Sequence, residues 1–237
     1  MVVRPTLQFY FKGILTVLDR FRRLLPPISL KTLSSLDAYA QWAANYPPRA
    51  HNTLMQVEEA TMRKLMPDLN GQVVLDLACG TGRYGLLARD LGAKQVIGLD
   101  NSRAMLEANP QRQIALATSE AIPMRRQSVN VVLCGLALGH LPSLKPTLHE
   151  INRILKSGGV ALISDFHPFV FLSGGQRTFT ASDGLTYAVE HHAHLYADYH
   201  RASRESDLWI EDVMEASIEM NNGANTPIVI IYRLCKS

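Results

Sequence analysis

Residues Val73-Val74-Leu75-Asp76-Leu77-Ala78-Cys79-Gly80-Thr81-Gly82-Arg83-Tyr84-Gly85 are followed, one helix length later, by Val96-Ile97-Gly98-Leu99-Asp100. The first apolar run reads as a buried parallel strand, and the glycines after it let a turn pass close to a ligand with no Cβ in the way. Residues 83–91 carry the helix, and Gly92 stands where a left-handed C-terminal cap should end it. The second strand, residues 95–99, ends on Asp100. A carboxylate there can accept two hydrogen bonds from vicinal ribose hydroxyls, as in dinucleotide folds, where such an acid follows about 20 residues on. The spacing therefore predicts a strand-helix-strand unit with a nucleoside site at the carboxyl ends of its strands.

Two cofactors suit that arrangement. Gly80, Gly82 and Gly85 satisfy G-x-G-x-x-G, so a nicotinamide-dependent oxidoreductase has to be weighed. Against it, Asp76 stands four residues before Gly80, where its charge would repel a pyrophosphate held by helix-end amides. The same charge suits a cofactor carrying an ammonium and a sulfonium, as S-adenosylmethionine (SAM) does.

From about Tyr39 to Pro168 the chain resembles the class I SAM-dependent methyltransferases, in particular the small-molecule group that includes ubiquinone/menaquinone and malonyl-carrier-protein methyltransferases. Leu75-Asp76-Leu77-Ala78-Cys79-Gly80-Thr81-Gly82 is similar to its first motif, with Ala78 where glycine is common. Leu99-Asp100-Asn101-Ser102 resembles the ribose-binding strand end, and Ser119-Glu120-Ala121-Ile122-Pro123 the adenine-side motif, with Thr118 in place of an aspartate. Asn130-Val131-Val132-Leu133-Cys134-Gly135-Leu136 resembles strand four, with Asn130 for aspartate, and Arg153-Ile154-Leu155-Lys156-Ser157-Gly158-Gly159 the turn before strand five. The resemblance implies an α/β fold: a Rossmann-like, seven-stranded, mostly parallel sheet with helices on both faces, its last strand antiparallel, plus a helical N-terminal extension. It also implies that Asp76, Ala78, Gly80, Thr81 and Gly82 hold the methionine end of the cofactor. Asp100 and Asn101 would take the ribose, Ser119 and Glu120 would flank the adenine, and Cys134 and Leu136 would wall the methyl group.

The 237 residues divide, on this reading, into an N-terminal amphipathic helix and lid segment (1–50) and a methyltransferase domain (51–237) with a hairpin insertion at about 176–192. The net charge of +3 is unevenly spread: residues 1–31 hold six cations against Asp19, an excess of five, which leaves −2 for the rest. With no basic stripe on the body, a small-molecule or acyl-carrier substrate is expected rather than nucleic acid. Three cysteines without metal spacing point to a reducing, cytoplasmic setting.

Leu7, Phe11, Ile14, Leu18, Phe21 and Leu25 fall on one helical stripe that ends at Pro26-Pro27. Lys12, Asp19 and Arg20 interrupt it well short of the roughly 20 apolar residues a membrane span needs. Two readings stand: a lid or packing helix, one that the subunits of a homodimer could share, and a peripheral membrane contact through residues 1–27, which would make the cytoplasmic protein membrane-associated. After it comes a segment bearing Tyr39, Trp42, Tyr46 and His51. By the resemblance Tyr39, Tyr46 and His51 are lid residues over the cofactor and acceptor; the alternative is that the aromatic rings anchor a helix to the core.

Further strands are expected at residues 114–117, 131–138 and 160–164, and a helix at 142–155. A hairpin follows, residues 178–180 and 185–189 joined through Asp183-Gly184, then a helix at 196–206 and strands at 209–218 and 228–234. His140 after strand four and His167 after strand five are the catalytic candidates, each as a base or acceptor contact. His191, His192 and His194 beside Glu190 suggest a metal, yet nothing completes four ligands, so no metal is expected and the cluster is read as shaping the acceptor pocket. A carboxylate acceptor needs no base, whereas a phenol or an alcohol benefits from one. The reading that results is a SAM-dependent methyltransferase, with a SAM-binding regulatory or scaffold subunit lacking turnover as the alternative and a nicotinamide enzyme behind it. On the bilayer reading of the N-terminus, deleting residues 1–27 releases the protein from anionic vesicles and leaves SAM binding intact; unchanged co-sedimentation refutes that reading.

Overall fold

Ser34 opens the first helix by accepting the Asp37 amide on its hydroxyl at 3.1 Å, and Asn52 opens the second by accepting the Met55 amide at 2.9 Å. In this computed structural model, which describes residues 30–181, 183–219 and 225–237, those helices are α1 (Ser35–Trp42), behind a short strand β1 (Thr32–Leu33), and α2 (Thr53–Leu65). Then come β2 (Val73–Leu77), α3 (Arg83–Asp90), β3 (Gln95–Asp100), α4 (Arg103–Glu107), β4 (Ile114–Leu116), β5 (Val129–Gly135), α5 (Lys145–Ile154) and β6 (Leu155–Phe166). The remainder is α6 (Pro168–Leu172), the hairpin β7 (Thr178–Thr180) and β8 (Thr186–Val189), α7 (Tyr196–Glu205), β9 (Leu208–Glu219) and β10 (Asn225–Lys236). The apolar stripe from Leu7 to Leu25, with its bilayer and subunit-sharing expectations, lies outside the described residues.

Seven strands form the main sheet in the order β4-β3-β2-β5-β6-β10-β9, with parallel pairing from β4 through β6 and β10 antiparallel to both neighbours. The inner strands are buried on both faces, which explains their near-continuous apolar runs. Alternation decides which face each residue serves: Leu75, Leu77, Val132, Cys134, Ala161 and Ile163 join Leu148, Ile151 and Tyr199 on one side. Val74, Val131, Leu133 and Leu162 join Leu54, Met62, Leu87 and Ala88 on the other. Helices therefore cover both faces of the sheet. Among the described residues no helix is long and apolar enough to cross a membrane.

Several boundaries differ from the sequence expectation for local reasons. The helix expected from Pro142 starts at Lys145, with Pro146 in its first turn, where a missing amide costs nothing. Strand five, expected from Val160, begins at Leu155. Val129 pairs with Leu155 and Val131 with Val160, so residues 156–159 bulge out at Gly158, whose φ is +71°. Gly92 ends α3 with φ +82°, as its position predicts.

A second sheet, β1-β8-β7, was half foreseen. The hairpin pairs Thr178 with Ala188 and Thr180 with Thr186, while β1 adds itself parallel to β8 through only two residues, too few to leave a periodic signal. Its inner face packs Phe179, Ala181 and Val189 against Ala38, Leu33 and Trp42, so the lid segment and the insertion share one small core. Trp42 stacks on Phe179 at 5.3 Å.

Leu148 and Ile151 are fully buried against the sheet. Leu148→Ala should destabilise the fold by about 2–5 kcal/mol through lost transfer energy and an unfilled cavity, measured as a lower denaturant midpoint at unchanged slope; a cost below about 1 kcal/mol would mean that this face is not tightly packed.

Candidate active site

The turn after β2 is held from below by two carboxylates. Gly80 donates its amide to Asp100 at 2.7 Å, and Gly85, in the first turn of α3, donates its amide to Asp76 at 2.7 Å. The second Asp100 oxygen accepts the Ser102 amide at 2.8 Å. Parallel pairing of Leu77 with Leu99 brings the two strand ends level, which is how the acids come to flank a single turn. The turn itself needs left-handed backbone at Ala78 (φ +56°), Gly80 (+50°) and Gly82 (+98°), which explains why glycine is common at the first of these positions in the family resembled. A Cβ on Gly82 would meet the Asn109 and Gln111 side chains at 2.6 and 2.7 Å. Asn109 in turn donates to the Gly80 carbonyl at 2.9 Å.

Above the turn opens a cleft with about 990 Å³ of unoccupied space, a figure that includes its open mouth. Asp76, Ala78, Gly80 and Thr81 line its floor; Asp100, Asn101 and Ser119 line one end. Leu136 and His140 line the side, with Tyr39 and Tyr46 from the lid segment. Burial raises the Asp76 carboxyl to about 7 and pushes Asp100 up as well, with the amide hydrogen bonds opposing the shift in both. Thr81 carries a buried hydroxyl with no hydrogen-bond partner among the described residues, a group left for a ligand.

Other expected residues fall elsewhere. Gly82 begins α3 and is not in the cleft wall; Cys134 is fully buried in β5, behind the wall. Glu120 is exposed to solvent. His51 is exposed, packs edge-on to Tyr46 with ring centres 5.1 Å apart, and is not among the residues lining the cleft. His167 is not among the residues lining the cleft: it caps α6 by accepting the Phe169 amide at 3.2 Å, and its other nitrogen lies 3.2 Å from Glu215 on β9.

His140 is in the cleft, but its hydrogen bonds define a different task from proton removal. Nδ1 lies 2.8 Å from the Glu190 carbonyl, which can only accept, so Nδ1 carries the proton and Nε2 keeps the lone pair. Nε2 then accepts from Arg177 at 2.8 Å and from the Tyr39 hydroxyl at 3.2 Å. Burial, reinforced by the Arg177 charge, lowers the imidazole to about 3, so the ring is neutral. The three-histidine cluster stands behind this wall: His191 stacks on Phe171 at 3.8 Å and meets His140 edge-on, and His194 bonds the Leu141 carbonyl at 2.9 Å. Among the described residues no group of three or more His, Cys, Asp or Glu side chains is gathered as for a metal ion.

Arg177 was missed. It is 8% exposed, lines the cleft and donates to the Leu136 carbonyl at 2.9 Å besides His140. The signal lies in period two: Arg177, Phe179 and Ala181 are alternate residues and all are buried, so the alternation of the strand at 178–180, continued one residue beyond each end, carries the arginine inward. Also unanticipated is Glu58, fully buried under the cleft, which accepts Arg83 at 2.6 Å, Tyr84 at 2.7 Å and the Ser164 hydroxyl. Ser164 accepts the Leu136 amide at 3.0 Å, so this network supports the segment that faces the ligand.

Residues 75–163 match the family described as "Methyltransferase domain". Malonyl-[acyl-carrier protein] O-methyltransferase of Yersinia pestis is 33% identical over 144 residues, 59% of this chain and 53% of that protein. Demethylmenaquinone methyltransferase of Lactococcus lactis is 37% identical over 121 residues, 46% of this chain and 48% of its own. The chain thus spans about half the length of the curated relatives it matches. An S-adenosylmethionine-dependent methyltransferase of known structure from Mesorhizobium loti superimposes with a TM-score of 0.62 at 19% identity, covering 76% of this chain and 98% of that one. A [4+2]-cyclase superimposes with 0.61 at 13% identity, covering 88% and 98%. At such identities the likeness is one of fold.

An acid whose carboxyl is raised on folding takes up protons on folding, so it lowers stability as pH climbs from about 4 through 7. Asp76 and Asp165, both raised to about 7 by burial, act this way, while the buried neutral His140 and His191, lowered to about 3 and 2, act oppositely up to about 6.5. The two trends offset one another in the native chain, and a variant separates them. Asp76→Asn should gain thermal stability relative to the native protein as pH rises from 5 to 8; a difference that stays flat across that window contradicts a raised Asp76.

Proposed function

We propose that this chain, whose residues 75–163 match the methyltransferase-domain family, is a SAM-dependent enzyme that methylates a small-molecule or carrier-tethered acceptor. The observation that carries this reading is the pair of buried acids at the glycine turn. The amide of Gly85 at the start of α3 is already used by Asp76, so that helix end offers a negative charge where a pyrophosphate would need donors. The same carboxylate suits an ammonium, and the unpartnered Thr81 hydroxyl beside it suits the rest of an amino-acid tail.

Asp76 and Thr81 would hold the methionine end, Asp100 and Asn101 the ribose, and Ser119 the adenine edge, with Leu136 beside the methyl. Each Asp100 oxygen accepts one amide and keeps a lone pair free for a sugar hydroxyl. When bound, SAM supplies a methyl carbon already activated by a sulfonium. What the chain adds is position and dryness: Tyr39 and Tyr46 roof the cleft, the Trp42–Phe179 stack holds that roof, and Glu58 fixes the Leu136 segment through Ser164. Orientation of this kind contributes on the order of 7–11 kcal/mol in well-aligned systems. The names of the curated relatives, one acting on a carrier-bound malonyl group and one on a quinone precursor, support small or tethered acceptors. Because the same fold also carries a [4+2]-cyclase, turnover has to be shown as well as binding.

Calorimetry should show S-adenosylhomocysteine binding and NAD not binding. Asp100→Ala should weaken S-adenosylhomocysteine binding by about a hundredfold, the loss of two hydrogen bonds to a charged acceptor. Overexpression should enrich a metabolite heavier by one CH2, and Asp100→Ala should abolish it. Tight NAD binding, or S-adenosylhomocysteine binding indifferent to Asp100, sinks the assignment.

A further inference from the structure

Arg177 is a buried cation without a counterion. It is more than nine-tenths buried, yet among the described residues no carboxylate lies within ion-pair distance of it. Its Nη1 makes both of its hydrogen bonds, to the Leu136 carbonyl and to His140, so Nε and Nη2 have no protein acceptor among the described residues. The guanidinium is held by rings, 4.9 Å from the centre of Phe166 and 5.6 Å from that of Tyr39, and it lines the cleft. Leaving a guanidinium desolvated and unpaired is costly, and a planar carboxylate is the partner its fork fits best. Arg177 lies outside residues 75–163, so the domain match carries nothing about it.

A second observation points the same way. The one cleft side chain of the usual base type, His140, has its free lone pair occupied by Arg177 and Tyr39 and its other nitrogen fixed on the Glu190 carbonyl. Asp76 and Asp100 are committed to the glycine turn. The tyrosines of the roof, Tyr39 and Tyr46, are pushed up by burial and hold their protons. The acceptor side thus offers a cation and no base, which suits a nucleophile that has no proton to lose.

We propose that the acceptor is a carboxylate, gripped by Arg177 and methylated on oxygen, with His140 as the positioning residue that holds the guanidinium in place. This rests on the methyltransferase reading above and names its substrate class. A carboxylate oxygen forms the new O–CH3 bond as the S–CH3 bond breaks, and the bonding pair stays on sulfur as a neutral thioether. The negative charge of the acceptor and the positive charge of the sulfonium disappear together, and no proton moves.

The test uses the full chain saturated with S-adenosylhomocysteine and two matched pairs of probes, benzoate with benzamide and hexanoate with hexanamide, titrated by calorimetry. The native protein should bind each acid at least about tenfold more tightly than its amide. Arg177→Met should erase that preference, and Arg177→Lys should retain part of it, since an ammonium restores charge without the fork. Both variants should bind S-adenosylhomocysteine within about twofold of native, and Arg177→Lys alone decides the matter if Arg177→Met does not fold. Equal binding of acids and amides by the native complex overturns the inference, as does an undiminished preference in the variants. It is also overturned if the variants lose S-adenosylhomocysteine itself, which would assign Arg177 to the methionine carboxylate. Failure of the native protein to bind S-adenosylhomocysteine at all strikes instead at the methyltransferase reading.

Discussion

The Gly80 amide on Asp100 is the contact on which the rest of the site depends. It bonds the end of one strand to the turn leaving its neighbour, and it helps to hold that turn's left-handed residues in shape together with Asn109 on the Gly80 carbonyl. Asp76 repeats the device one strand over, on the first turn of α3. Two desolvated carboxyls side by side form an electrostatically unfavourable arrangement, and burial raises both. On the proposed reading a bound ammonium and two sugar hydroxyls would relieve it, so that cofactor affinity and local instability would have the same origin.

Much of this could be read directly from the residues because it is local. The apolar run before Asp76, the glycine cap at Gly92 and the Asp183-Gly184 turn each act over a few positions, and β2, α3, β3 and the hairpin occur where those signals put them. The acids, Thr81, Ser119 and Leu136 reach the cleft for the same reason, since motifs at strand ends of a parallel sheet share one edge.

What escaped the sequence is what distance in the chain decides. His167 sits at the right strand end, yet it meets Glu215 on a strand far along the chain and does not line the cleft. His140 could be placed but not given a role, because its partners, the Glu190 carbonyl, Tyr39 and Arg177, come from three separate segments. Arg177 itself was readable in the alternation of β7, yet only the packing of Leu136 and Phe166 around it shows a cation without a counterion. Strand β1, two residues long, carries too little pattern to be read before its partner β8 is known.

That short strand has a consequence for how such a protein can be altered. Thr32 and Leu33 pair with Ala188 and Val189, and Trp42 stacks on Phe179 as well as on Tyr39 of its own helix. The stretch leading into the domain and the insertion far downstream are thus complementary halves of one roof. Engineering that grafts a foreign segment between β6 and α7 would orphan the leading stretch, so recombination in this fold has to exchange both halves together.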